Sequence, residues 1–324
     1  VTDEKPRALV VLGVAGAVLV GILTATQSRI NSELSFSIGD GYLAAVISFG
    51  SGFVIMVVAL VVWRPGRRGL SHLIASVRSG ETPWWYLIGG AAGGLFVLSQ
   101  GLTGAVLGVA LFTIAIVCGQ TLSGLLVDGH GIGPVPPKPI TVTRVVGSVL
   151  ALVAVGWAVS AQLGGDIPVW LLLLPFVAGL FISGQQAVNG QVRRVSGSAM
   201  TATLMNFLVG TVVLVTAAVV HASIAGWPTH LPTNPLLYLG GLTGTLFIGL
   251  STVVVRTTGV LLLGLGSVAG QLVTSLILDL TLPVDGRIVA LTTIAGTLLT
   301  LVAVAIAAVP SRAVRTSMRE TPQG

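Results

Sequence analysis

The sequence predicts an all-α integral membrane protein with ten transmembrane helices, arranged as a 5+5 inverted-topology repeat. Three observations predict it: a composition almost free of charge, ten apolar runs of spanning length, and an internal repeat with an odd number of spans per copy. Of the 324 residues, 53% are apolar and 8% charged, against ~25% charged in a soluble protein. So few charges cannot cover an aqueous surface, and lipid requires no such cover. The 43 glycines suit helices that pack backbone to backbone in a bilayer. The net charge of +6 would suggest nucleic acid in a soluble chain. Here Lys and Arg fall in short intervals between apolar runs, with no basic and aromatic groove, so the expected partner is the lipid bilayer and not nucleic acid.

Crossing ~30 Å of hydrocarbon takes about 20 residues. Runs of that kind occupy 8–30, 42–63, 84–102, 104–127, 141–161, 168–189, 199–221, 235–255, 257–279 and 288–309. Breakers and charges separate them: Arg64-Pro65-Gly66-Arg67-Arg68, Asp128-Gly129-His130-Gly131 with the stretch 134–139, and 226–235. The joins at 103 and 256 are tight, so nine and eleven are the competing counts. Trp84, Trp85, Trp170 and Trp227 stand near run ends, where an aromatic belt belongs. The N-terminus, with Lys5 and Arg7 before an apolar run, looks like a signal peptide, but no small-residue cleavage site follows and the run reads as a retained helix. With both termini in the cytoplasm, 14 of the 16 Lys and Arg lie inside, the exceptions being Arg29 and Arg287. That segregation follows the positive-inside rule. The chain then divides into a first unit (1–161), a second unit (162–310) and a basic cytoplasmic tail (311–324).

Residues 21–62 align without a gap on 179–220, with 12 identities in 42 positions. The rarer types keep their order: Gly21/Gly179, Gln27/Gln185, Asn31/Asn189, Phe49/Phe207 and Gly52/Gly210. A second block aligns Gly93/Gly244, Phe96/Phe247, Gly119-Gln120/Gly270-Gln271 and Asp128/Asp279. Five spans per copy make the second copy start on the side where the first ended, so the copies insert in opposite senses, as in many secondary transporters.

Polar groups within spans are costly in lipid, so their positions carry information. Gln27 and Asn31 lie four residues apart on one helix face, as do Gln185 and Asn189. Inversion puts Gln27, Asn31 and Gln271 at similar levels toward the outside. It puts Gln185, Asn189 and Gln120 toward the cytoplasm, with a more apolar middle between. These six are the candidate substrate pathway; the competing reading is that their amides only cross-link helices. Asp128 and Asp279 fall at opposite faces, about a bilayer apart, too far for paired-carboxylate chemistry. They read as solvated helix-end carboxylates, with proton coupling through Asp128, Asp279 or Glu33 as the alternative. Arg29 and Glu33 pair at i, i+4. Gly90/Gly94, Gly240/Gly244 and Gly266/Gly270 have the spacing of close helix contacts, and Pro175 is expected to kink the sixth span.

Cys118 is the one cysteine, so no internal disulfide forms. His72, His130, His221 and His230 read as loop or loop-edge residues without metal-ligand spacing. No zinc motif, catalytic triad or paired acid is present. No cofactor, metal or enzymatic activity is expected. No acid lies at mid-span, which favours a neutral, zwitterionic or amphiphilic solute.

The order Gln27-x-x-x-Asn31, Ala44/Phe49/Gly52, Trp84 with a Gly-rich third span, Gly119-Gln120 closing on Asp128, and Arg144-x-x-Gly147 resembles the YdcZ-type inner-membrane exporters of the drug/metabolite transporter superfamily. The resemblance covers nearly the whole chain and looks like two five-span units fused, so a monomer suffices. It departs in the second unit, where Thr293 stands for Arg144 and Asp279-Leu280-Thr281-Leu282 for the Asp128-x-x-Gly131 turn. It implies a bacterial inner-membrane location and export of a small metabolite or amphiphile by alternating access; a lipid flippase is the runner-up.

Overall fold

The computed structural model describes residues 7–129, 141–160, 168–283 and 289–307. Among them every regular element is a helix. They are α1 (Arg7–Ile38), α2 (Gly41–Val62), α3 (Arg64–Arg78), α4 (Gly89–Leu107), α5 (Val109–Gly129), α6 (Val142–Ser160), α7 (Leu173–Ser196), α8 (Ala199–Ala225), α9 (Gly240–Thr281) and α10 (Leu291–Ala307). Seven stretches are long and apolar enough to cross a membrane, and Val142–Ala158, Gly240–Ser251 and Leu291–Ala307 are apolar but shorter. Lys5, His130, Lys138 and Arg287, the junction 161–167 and the tail 311–324 lie outside the described residues.

Several boundaries differ from the sequence reading. α1 continues to Ile38 instead of ending at 30, because nothing between Arg29 and Ser37 breaks it and Arg29 pairs with Glu33 along it. Arg29 is therefore a helix residue, not a loop charge. The turn comes at Gly39, whose φ of 75° suits glycine. Asp40 then caps α2 by accepting from Tyr42 N and Leu43 N at 2.7 and 3.1 Å. The second unit repeats the device: Gly197 has φ 64°, and Ser198 caps α8 through Thr201 N at 3.2 Å. The join expected at 103 lies instead at Gly108, φ 79°. Pro175 sits in the first turn of α7, where no intrahelical N–H is lost, so the expected kink has no cause there.

The breaker stretch after the second span starts a helix. In α3, Pro65 occupies the first turn, where its fixed φ favours a start. Leu73 is buried against Val192 and Ala202, while Arg64, Arg67 and Arg68 are exposed. His72 thus lies on a helix, and His221 lies within α8, stacked on Tyr42 with ring centroids 4.3 Å apart. Neither is a loop residue.

Backbone bonding joins the eighth and ninth expected spans into α9, 42 residues long. Straight, it would measure ~63 Å. Yet Gly240, at its start, packs on Asn31, while Leu282, just past its end, accepts from Arg29 Nε at 2.9 Å. Both ends meet α1 within two residues of each other. The chain therefore reverses inside α9, giving an outbound arm that begins at Gly240 and a return arm that ends at Thr281. Gly16 meets Val254 on the first arm and Ala17 meets Gly266 on the second, which brackets the reversal between 254 and 266. Among the described residues, α3 is thus a helix that the sequence reading did not expect, and α9 joins two stretches that it kept apart.

Close backbone approaches recur with partner numbers exchanged. Gly21 abuts Ser267 O and Gln271 N, and Gly179 abuts Ile116 O; Gly270 abuts Val18 O, and Gly119 abuts Phe176 O. Gly90 meets Asn206 and Gly210, as Gly241 meets Ser48 and Gly52. Gly147 lies on Ala303 and Ala307, as Gly296 lies on Ala154 and Ala158. Each pair follows the offsets of the sequence repeat. The expected tight packing of the Gly90, Gly240 and Gly266 motifs is present. A methyl on Gly21, Gly90, Gly119, Gly179, Gly241 or Gly270 overlaps backbone, which cannot swing aside. Gly21→Ala is expected to destabilise the protein by about 1–3 kcal/mol, the cost of overpacking; an unchanged melting midpoint in detergent would contradict it.

At the centre, Phe49 and Phe207, repeat mates, tilt against each other with centroids 4.9 Å apart. Phe96, Phe112, Ile116 and Ile182 join them in one buried apolar cluster.

Candidate functional site

Gln27 and Asn31 belong to one amide cluster, and Gln185 and Asn189 to another. In the first, Gln27 Nε2 donates to Gly240 O at 2.9 Å. Asn31 Nδ2 donates to Gln100 Oε1 at 2.6 Å, and Gln100 Nε2 to Ser28 Oγ at 2.8 Å. Ser28 Oγ donates in turn to Thr24 O at 3.1 Å. In the second, Asn206 Oδ1 accepts from Gln185 Nε2 at 2.6 Å and from Asn189 Nδ2 at 3.2 Å. Gly89 and Gly93 of α4 lie over this cluster, as Gly240 and Gly244 of α9 lie over the first. Both are helix-on-glycine seats, where the missing Cβ lets an amide reach the neighbouring backbone.

The structure separates Gln271 and Gln120 from these clusters. Gln271 N lies against Gly21, six residues and ~9 Å along α1 from Gln27, so the two are not level as expected. Gln271 is buried and its Nε2 has no partner. Gln120 is half-buried, and its carbonyl accepts from Ser183 Oγ at 3.0 Å.

Three residues were missed. Gln100 is wholly buried in α4 and Asn206 is buried in α8; each is a lone amide in an apolar run, a signal the sequence carried. Both escaped because their repeat mates are serines, Ser251 and Ser48, so comparing the copies did not single them out. Ser48 is buried beside Gly240.

Asp279 is not a solvated helix-end carboxylate. It is buried, and its two oxygens accept from Val109 N at 2.9 Å and Ala110 N at 2.7 Å. The end of one α9 arm thereby caps the start of α5, just past the Gly108 break, and satisfies N–H groups a helix start leaves open. The sequence placed Asp279 at a helix end but could not show that the end meets another helix's beginning. Glu33 pairs with Arg29, as expected, and lines an open cavity of about 550 Å³ with Ser37, His230 and Asn234. The Asp128 side chain lies outside the described residues.

The family described as "Putative inner membrane exporter, YdcZ" matches residues 12–157 and again 170–306. This chain belongs to the YdcZ family. It carries two copies of the family unit, one per half, and is a helical inner-membrane protein. Six solved chains match it. One, described as "Crystal structure of protein", aligns over 98% of this chain and 99% of its own with a TM-score of 0.54 and 16% identity. At that identity the likeness concerns the fold alone. No curated protein matches.

Proposed function

We propose that this YdcZ-family chain exports a small uncharged, zwitterionic or amphiphilic metabolite by alternating access between two inverted five-span units, with both termini in the cytoplasm. The reciprocal glycine contacts support a pseudo-two-fold axis through the Phe49–Phe207 pair. Helix directions support the inversion. α1 runs parallel to the second arm of α9, since Ala17 meets Gly266 and Arg29 meets Leu282. α7 runs parallel to α5, since Phe176 meets Gly119 and Ser183 meets Gln120. α5 begins where that arm ends, at Asp279, and so returns in the opposite sense. The two pairs are repeat mates, which is the arrangement secondary transporters use.

One observation carries the functional reading. The two clusters are repeat mates, yet Gln27 and Asn31 are 2% and 1% exposed while Gln185 and Asn189 are half-buried. Similar units in unequal states are what alternating access requires: one mouth shut, the other open, with the apolar Phe49–Phe207 pair between. The charge segregation puts the open side in the cytoplasm. The experiment is a ligand screen by thermal shift, where binding to the native state raises stability, followed by efflux from reconstituted vesicles. Gln27→Ala and Gln185→Ala are expected to cut efflux at least about tenfold, or ~1.4 kcal/mol, while still inserting normally. Normal efflux by both variants would end the gate reading.

A further inference from the structure

The buried Gln27–Asn31 cluster holds three oxygens without hydrogen-bond partners. Hydrogen-bond direction fixes both amides. The Gly240 carbonyl can only accept, so Gln27 turns Nε2 toward it and leaves Oε1 free. The Ser28 hydroxyl spends its proton on Thr24 O, so it accepts from Gln100 Nε2. Gln100 Oε1 then accepts from Asn31 Nδ2, which leaves Asn31 Oδ1 free. Gln27 Oε1, Asn31 Oδ1 and Ser48 Oγ are all buried without partners. A Cβ on Gly240 would strike Asn31 Oδ1 and come within 2.7 Å of Ser48 Oγ. Gly240 therefore plugs the spot both oxygens face.

The second unit differs at three of these positions: Asn206 stands for Ser48, Gln186 for Ser28 and Ser251 for Gln100. Asn206, at the position of Ser48, reaches Gln185 and Asn189, and its Oδ1 accepts an amide N–H from each. Ser48 is too short to do so. In both clusters the amide N–H groups donate; the first differs in that its bare oxygens are buried, whereas Gln185 and Asn189 are half-buried. Buried acceptors without donors are costly, and a ligand that supplies N–H or O–H groups relieves them. The described polar groups of this cluster include no carboxylate, and a desolvated cation without a counter-charge is penalised.

We propose that Gln27, Asn31 and Ser48 form the outer half of the substrate site, closed here by the Gly240 backbone, and that it takes an uncharged group with at least two hydrogen-bond donors, such as a primary amide. This rests on the exporter reading and names the substrate chemistry for it. A Cys118→Ala chain with Ser48→Cys is labelled in membranes with N-ethylmaleimide. Labelling is expected to be slow, since position 48 is 1% exposed. Adding Gly240→Ala unseats the plug and should raise the rate about tenfold by shifting the open population. On that open variant, millimolar nicotinamide should slow labelling about threefold by occupancy. Nicotinate, an anion, and N,N-diethylnicotinamide, without N–H, should leave it unchanged. Gln27→Cys is the second reporter if Ser48→Cys does not insert.

Fast labelling without Gly240→Ala overturns the plug. Equal protection by all three compounds, or by none, overturns the donor chemistry. Labelling needs no transport, so a plugged and protected protein that moves nothing overturns the exporter reading alone. Transport with an unprotected cysteine overturns this site alone.

Discussion

Asp279→Ala should cost about 2–6 kcal/mol of stability, because it strands two buried backbone N–H groups at roughly 1–3 kcal/mol each. Both Asp279 oxygens are engaged, on Val109 and Ala110, and the residue is 6% exposed, so water cannot replace them cheaply. Asp279→Asn keeps one acceptor oxygen and turns an amide toward the other N–H. It should lose at least half as much. The contact also ties the two units together. The arm that ends at Asp279 belongs to the second copy of the family unit, and α5 to the first. It lies on the same side as the buried Gln27 and Asn31 cluster, since Arg29 reaches Leu282 beside it. Asp279→Ala should therefore also speed labelling of a cysteine at position 48. Denaturant melts of the three proteins in one detergent check the first effect. A wild-type midpoint for Asp279→Ala would refute the capping role, and slow labelling with a lowered midpoint would confine Asp279 to stability.

Phe207→Ala removes a ring that is 2% exposed and packed on Phe49 and Gly52. Truncating a buried aromatic costs about 3–5 kcal/mol. Phe49→Ala should cost a similar amount, since Gly210 packs on Phe49 as Gly52 packs on Phe207. The double variant should be less harmful than the sum by about 0.5–1.5 kcal/mol, the coupling of a tilted aromatic pair. If the pair also separates the two clusters, either single variant should let solute leak through reconstituted vesicles with no gradient to drive it. Strict additivity would mean the rings do not act together. Destabilisation without leak would restrict them to packing.

Much of this arrangement was legible in the chain. Low charge and apolar runs depend only on local composition, so membrane insertion and most helix cores followed directly. The repeat was visible because Gly21, Gln27, Asn31, Phe49 and Gly52 kept their order in the second copy. Each of those matches proved to mark a contact: glycines where backbones touch, amides where helices bond, phenylalanines at the centre. Boundaries were read less well. The first span was read to end at 30, yet its helix runs on to Ile38, because polar residues alone do not end one. Arg64–Arg68 looked like a terminator; it does follow the end of α2, and it also begins α3.

What the sequence determined by itself was the lipid environment, the duplicated unit and the polar residues worth watching, since hydropathy, residue order and cost of burial are properties of each segment alone. Only the tertiary structure decided that Asp279 caps α5, that α9 turns back along α1, that Gln100 and Asn206 complete the amide clusters, and that Gln27 and Asn31 are buried while Gln185 and Asn189 are half-buried. Those facts depend on which atoms from distant segments meet, and a hydrogen bond or a steric stop exists only between atoms brought within about 3 Å.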